Sequence, residues 1–308
     1  MTAMNTTRLL TGLVGLLLVG MLLSCVDHRS LVVTPGANRL RVKKIEQVTT
    51  VTTVMDFAYD GQSRLSSITS YRTPDSTVAP VEKTLYQYDA QSRLAQVGHS
   101  EVRRGSRSET YFVGYNSAGQ VSGLSNSPSN FVVVRNYNTV PGPPLSDYSK
   151  TTGAGGIVSS GGGSFTFTAG NLTGVSETLS VFRAGEPAQA PPIYSRSLQA
   201  TYTYDVSGIN PFYGNFIIPA PGVFLPAPLV SFGPFYTLYG GIDNPFNLSP
   251  MNVETSLVVI TGATNGGPSG TTNTRYTYTY NAAGLPTSRT TNVANNVTEI
   301  LRFDYESY

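Results

Sequence analysis

The chain has 308 residues, only 12% of them charged, and a formal net charge of +2. That field is too weak to mark a nucleic-acid partner or attachment to anionic lipid by charge alone. One cysteine and two histidines exclude a disulfide framework and leave little for a zinc site.

The opening segment reads as an address. Arg8 precedes an apolar run from Leu9 to Leu23. That run is shorter than the roughly 20 residues a spanning helix needs, and it suits the core of a signal peptide. It ends in Leu22-Leu23-Ser24-Cys25, which resembles a bacterial lipobox. The expected organisation is a lipoprotein signal peptide over 1–24 and a lipidated tether over 25–38. A single β domain follows over 39–308. Cys25 is the expected lipidation site. After residue 30 no long stretch carries apolar residues at helical spacing.

The first strands are expected in "RLRVKKIEQVTTVTTVMDFAYD". A unit then recurs: "FAYDGQSRLSSI" from Phe57, "YQYDAQSRLAQV" from Tyr86 and "FVGYNSAGQVSGL" from Phe112. A degenerate copy, "FTFTAGNLTGV", starts at Phe165. Two more start at Tyr202 ("YTYDVSGINPF") and Tyr278 ("YTYNAAGLPTS"), and the half-copy "FDYESY" follows from Phe303.

Aromatic residues at alternate positions share one face of a strand. Asp or Asn then opens a turn, because its side chain accepts hydrogen bonds from the turn backbone. Gly three residues later admits positive φ. Asp60, Asp89, Asn116, Gly119, Asp205, Asn281 and Gly284 are therefore read as turn formers rather than ligands. Ser63 and Ser92 stand where Gly is expected, so those two turns should be strained or of another type. The Pro- and polar-rich connections between hairpins are longer. This predicts short turns at one end of the sheet and long loops at the other.

Residues 210–250 break the rhythm. They are rich in Pro, Phe and Tyr and carry Asn-Pro-Phe at 210–212 and again at 244–246. This reads as an ordered insertion. Phe212, Tyr213, Phe235, Tyr236 and Tyr239 are its candidate ligand contacts. His99 is read as a solvated residue beside a loop, and Gly153–Ser164 as a flexible surface loop. Neither catalytic residues nor metal ligands nor a cofactor are expected.

"YDAQSRL" and "YNAAGLP" resemble the YD repeats of the Rhs and wall-associated type. A lipobox, "LRVKKI", "FAYDGQSRL", an "NPF" insertion and a closing aromatic strand come in an order similar to a group of Bacteroidetes lipoproteins. That group carries a domain of unknown function with a porin-like fold. The resemblance spans roughly Leu40 to Tyr308. It implies an all-β, antiparallel up-and-down meander, strongly curved or closed into a porin-like barrel, and a cell-envelope location. It implies no catalytic residue.

The expected function is that of a lipid-anchored outer-membrane scaffold, not an enzyme. It would bind a glycan, peptide or envelope protein through its loops, insertion or lumen. An integral outer-membrane pore is the alternative, and a glycan-active enzyme the second alternative.

Overall fold

The computed structural model describes residues 40–73, 82–101, 107–127, 131–137, 145–154, 156–187, 190–213, 248–264 and 269–308. The expected signal peptide, tether and Cys25 lie outside them, as do Phe235, Tyr236 and Tyr239.

In chain order the strands are β1 (Leu40–Val48), β2 (Thr52–Tyr59), β3 (Leu65–Thr73), β4 (Glu82–Tyr88), β5 (Leu94–Glu101) and β6 (Arg107–Tyr115). They continue with β7 (Val121–Ser127), β8 (Phe131–Tyr137), β9 (Leu145–Ala154), β10 (Ile157–Thr168) and β11 (Asn171–Arg183). The last are β12 (Tyr194–Ile209), β13 (Met251–Thr264), β14 (Gly270–Tyr280), β15 (Pro286–Val293) and β16 (Asn296–Ser307). Each strand pairs antiparallel with its neighbours in sequence. β1 also pairs with β16, from Leu40↔Ser307 to Val48↔Ile300, so the meander closes into a barrel.

The Tyr-Asp turns all lie at one end, called here the turn end. Asp60 shows their construction. Its N–H donates to the Arg64 carbonyl at 2.9 Å, and the Ser63 N–H donates back to the Asp60 carbonyl at 2.9 Å. The N–H groups of Gln62 and Arg64 both donate to Asp60 Oδ1, each at 2.9 Å. Asp89, Asn116 and Asn281 organise identical turns. The fourth residue has positive φ in all four: 77° at Gly119, 74° at Gly284, 63° at Ser63 and 61° at Ser92. The two serine turns are thus of the same type as the glycine turns, and the side chain is forced into the left-handed region.

Beside each turn the return strand carries one extra residue. Ala58 faces Ser67 and Tyr59 faces Leu65, so Ser66 is bulged out. The same slip recurs at Tyr88, Tyr115, Tyr137, Phe167, Tyr204 and Tyr280, and again at Val42 on the β16–β1 seam. A bulge of this kind lets two side chains three apart face the same way and bends the strand. Leu65 and Ile68 therefore both point inward, as do Leu94 and Val97, and Val121 and Leu124; all six are buried.

The inward positions form levels. Nearest the turn end, the level is apolar: Val42, Leu65, Leu94, Val121, Leu172 and Val253. Two steps further in, on the same face, stand Gln47, Ser70, His99, Asn126, Glu177 and Thr291. The outward positions are polar, as in Thr201, Thr203, Thr277 and Thr279, all exposed.

Three expectations are corrected. Asp205 does not open a hairpin turn. It lies within β12, where the pairing jumps from Asp205↔Asn252 to Ile209↔Met251, and residues 210–250 connect β12 to β13 instead. That long connection lies at the turn end, while the opposite end includes the tight Ala294-Asn295 turn, so short and long connections are not segregated. Gly153–Ser164 is not a surface loop but falls largely within β9 and β10. There a Cβ on Gly161 would lie 2.3 Å from the Thr178 carbonyl oxygen, and one on Gly163 2.7 Å from the Tyr148 ring. Those glycines serve close packing, one of the recurrent uses of glycine within a strand.

A non-glycine residue in the left-handed region costs about 1 kcal/mol. Ser63→Gly and Ser92→Gly are expected each to raise the stability of the barrel by about that amount, read by urea denaturation. Unchanged or lower midpoints would show that these serines are not strained.

Candidate functional site

At the turn end the repeats are joined by their side chains. The Arg64 guanidinium pairs with Asp60 at 2.7 Å and lies over the Tyr88 ring of the next hairpin, 4.2 Å from its centroid. Arg93 pairs with Asp89 at 2.8 Å and lies over Tyr115 at 4.5 Å. The hydroxyls of these rings donate to the carbonyl that begins the preceding return strand: Tyr88 to Leu65 at 2.8 Å and Tyr115 to Leu94 at 2.7 Å. Tyr59, Tyr204, Tyr278 and Tyr305 donate likewise to Val42, Leu172, Val253 and Pro286. Burial works against the Asp60 charge, but the Arg64 and Gln62 N–H groups and the Arg64 side chain outweigh it and hold the carboxyl below its usual range. Burial, reinforced by the nearby Asp60 charge, pushes the Tyr88 phenol up to about 12.

The seam between β16 and β1 repeats this arrangement without a turn. Glu306 takes the place of Asp60 and pairs with Arg41 at 2.7 Å. Arg41 lies over Tyr59 at 3.9 Å, as Arg64 does over Tyr88. "YE" at 305–306 and "RV" at 41–42 are thus two halves of one repeat.

The insertion enters and leaves through the same rim. Asn210 and Ser249 are fully buried, and Asn210 Nδ2 donates to the Ser249 carbonyl at 2.8 Å. The Leu172 N–H donates to Ser249 Oγ at 3.0 Å. Phe212 is only 3% exposed and packs on Phe303 with centroids 6.3 Å apart, so it belongs to the core rather than to a surface contact. Tyr213 is exposed. Asp205 accepts from the Ser207 N–H at 2.8 Å and the Tyr280 hydroxyl at 2.8 Å. Its carboxyl is held low by those bonds, which outweigh the opposing effect of burial.

Deeper inside are two buried ion pairs. Arg196 meets Glu177 at 3.4 Å, and the Tyr148 hydroxyl donates to the same carboxylate at 2.5 Å. Arg289 meets Glu299 at 2.7 Å, and that carboxylate also accepts from Thr291 at 3.1 Å and Gln47 at 2.7 Å. His99 is not on the surface: it is 3% exposed, on the inward face of β5, with Nδ1 3.1 Å from Thr84 Oγ1. Burial lowers its pKa from 6.5 to about 4. A lone histidine read as beside a loop gave no hint of this. The alternation of Leu94, Val97 and His99 across a bulge did encode it. No group of three or more His, Cys, Asp or Glu able to hold a metal occurs among the described residues.

Among the described residues the outer wall is largely polar, with exposed apolar side chains at Leu257 and Val259 of β13 and around Phe112. Phe112 is 46% exposed, and Leu85, Val132 and Val134 are similarly open on nearby strands. Sequence reasoning counted Phe112 only as the start of a repeat.

No family model matches the chain, and no curated protein matches it. Among solved structures, a porin-like protein from Bacteroides uniformis is similar at 14% identity, with a TM-score of 0.49 over 86% of this chain and 96% of that one. A porin-like protein from Bacteroides vulgatus is similar at 13% identity, with a TM-score of 0.43 over 86% of this chain and 98% of that one.

The pKa of His99 has a definite consequence. The folded chain keeps it neutral down to about pH 4, whereas its unperturbed pKa is 6.5. Between these values the unfolded chain binds more protons, so stability falls as pH drops through that window. Urea denaturation at pH 7 and pH 4.5 should show a larger loss for the wild type than for His99→Gln. Equal losses would contradict the burial of a neutral imidazole.

Proposed function

We propose that the protein is a lipid-anchored, non-catalytic β-barrel scaffold of the cell envelope. It is held to the outer membrane through Cys25 and presents its exterior to a glycan or protein partner. The observation that carries this reading is the direction of the side chains. A membrane-spanning barrel turns an apolar band outward and flanks it with aromatic girdles. Here the apolar side chains and the repeat tyrosines turn inward, and Val42, Ile45, Met55, Val97 and Leu301 have no solvent exposure. Outward stand groups that lipid would not accept, among them Asp56, Lys83, Arg302 and Asp304. Of the inner polar level, Ser70, His99, Asn126, Glu177 and Thr291 are buried, which supports a packed interior rather than the aqueous channel that large porins enclose.

β1 begins at the turn end, 15 residues after Cys25, so a lipid anchor at Cys25 would join the barrel at the rim of Tyr-Asp turns.

Wild-type protein should fractionate with membranes, and Cys25→Ser should be recovered soluble and folded. Retention of Cys25→Ser in carbonate-washed membranes would overturn the scaffold reading and favour a barrel embedded in lipid.

A further inference from the structure

Strands that follow one another in the chain take their register from the turn or connection between them. β1 and β16 have no such connection. Arg41 and Glu306, which meet across their seam, stand 265 residues apart. Burial does not complete the specification either. Val42, Ile45, Leu301 and Phe303 are buried and set which side of each strand turns inward. A slip of two residues would keep all four inward, because side chains alternate with a period of two. A further feature must tell the native register from its neighbours.

The outer face of this seam carries charge. Lys44 stands directly opposite Asp304, with their charged atoms 3.0 Å apart, and Glu46 directly opposite Arg302 at 3.9 Å. Lys44 also meets Glu46 on its own strand at 2.9 Å. At the rim Arg41 pairs with Glu306 at 2.7 Å. Several other strand pairs place neutral residues opposite each other on the outer face: Thr203 and Thr255, Thr279 and Ser288, Ser164 and Ser176.

The order of the charges excludes the slipped registers. Sliding β16 two residues one way would set Lys44 against Arg302. Sliding it the other way would set Glu46 against Asp304. Like charges directly opposite each other are destabilising. The two strands are also complementary as wholes: β1 carries three cations and one anion, and β16 three anions and one cation. Two copies of β1, or two of β16, would therefore repel. Exposed ion pairs add little stability, and the Asp304 and Arg302 side chains are 59% and 63% exposed. Their value here is selection against wrong pairings rather than strength.

We propose that the β1–β16 seam is an electrostatic latch. Its outward charges select β16 as the partner of β1 and fix the register. They also make this seam the place where the barrel opens when the charges are mismatched or screened. The latch does not depend on lipid anchoring or on any ligand.

The test uses the full chain in detergent and three variants of unchanged net charge. The first exchanges the pair on β1 (Lys44→Glu with Glu46→Lys). The second exchanges the pair on β16 (Arg302→Asp with Asp304→Arg), and the third combines both. Amide hydrogen exchange is read on β1 and β16, with β10 and β11 as the internal reference. Either exchange of charges alone is expected to speed amide exchange in β1 and β16 by roughly fivefold, leaving β10 and β11 unchanged. The combined variant should recover most of the protection, though not all, because residue 44 also stands opposite Asp56 of β2. At about 1 M salt the screening length falls to about 3 Å, and the gap between wild type and the single exchanges should narrow. Equal protection in all four chains overturns the latch. So does a loss that the combined variant fails to recover, a loss shared equally by β10 and β11, or a gap that salt leaves unchanged.

Discussion

The barrel depends on one three-part contact at its turn end. An acidic residue opens the turn and accepts its N–H groups. An arginine four residues later pairs with that carboxylate and lies across the tyrosine of the next hairpin. The tyrosine hydroxyl in turn satisfies a carbonyl at the start of the previous return strand, beyond the last ladder pair. An exposed ion pair is worth little alone. Here the same guanidinium also makes a cation–π contact, and the same ring makes a hydrogen bond. The contact joins hairpins rather than stabilising one of them. It therefore addresses what an up-and-down meander lacks: a reason for each hairpin to dock in fixed register on the last.

The same contact accounts for closure. Open sheets leave two edges with unpaired backbone groups, and a barrel removes both. In this chain the closing pair is assembled from the two ends of the domain. Glu306 and Arg41 meet as Asp60 and Arg64 do, and the bulge at Val42 matches the one at Leu65. The contact thus occurs three times among the described residues, at Asp60, at Asp89 and, divided between the first and last strands, at Glu306. The bulges place two inward residues on each return strand near the rim, giving an apolar level under the tyrosines and a polar level, with its own ion pairs, beyond. The inside is committed to packing.

The all-β meander was legible in the sequence because its unit recurs and each residue of the unit has a local reason. Asp60 and Gly119 are explained within five residues of chain. What was not legible is what depends on partners far along the chain. The role of Arg64 was not legible because the ring it covers lies 24 residues later, at Tyr88. "LRV" at 40–42 looked like an ordinary strand because its missing half lies at the other end of the sequence. Asp205 carries the turn motif, yet the chain runs past it to the insertion; Gly208 leaves room for the Tyr280 ring, which a Cβ would approach to 2.0 Å. The burial of His99 is set by inward direction after a bulge, which single-strand periodicity does not reveal, and the glycines of β10 answer to Thr178 and Tyr148 on the neighbouring strands.

The divided repeat is the claim on which closure rests, and circular permutation tests it directly. Joining Tyr308 to residue 40 would place three residues, Ser307, Tyr308 and 40, between Glu306 and Arg41, the spacing that separates Asp60 from Arg64. With Leu40→Gly supplying the left-handed position, the join becomes one more Tyr-acid turn. New ends are then opened between Gly61 and Gln62, which divides a different repeat. The account predicts that this permutant folds cooperatively to the same barrel, with a transition close to that of the unpermuted 40–308 domain, since well-formed turns accept such relocation of termini. A permutant that aggregates or melts without cooperativity, while the unpermuted domain folds, would contradict it.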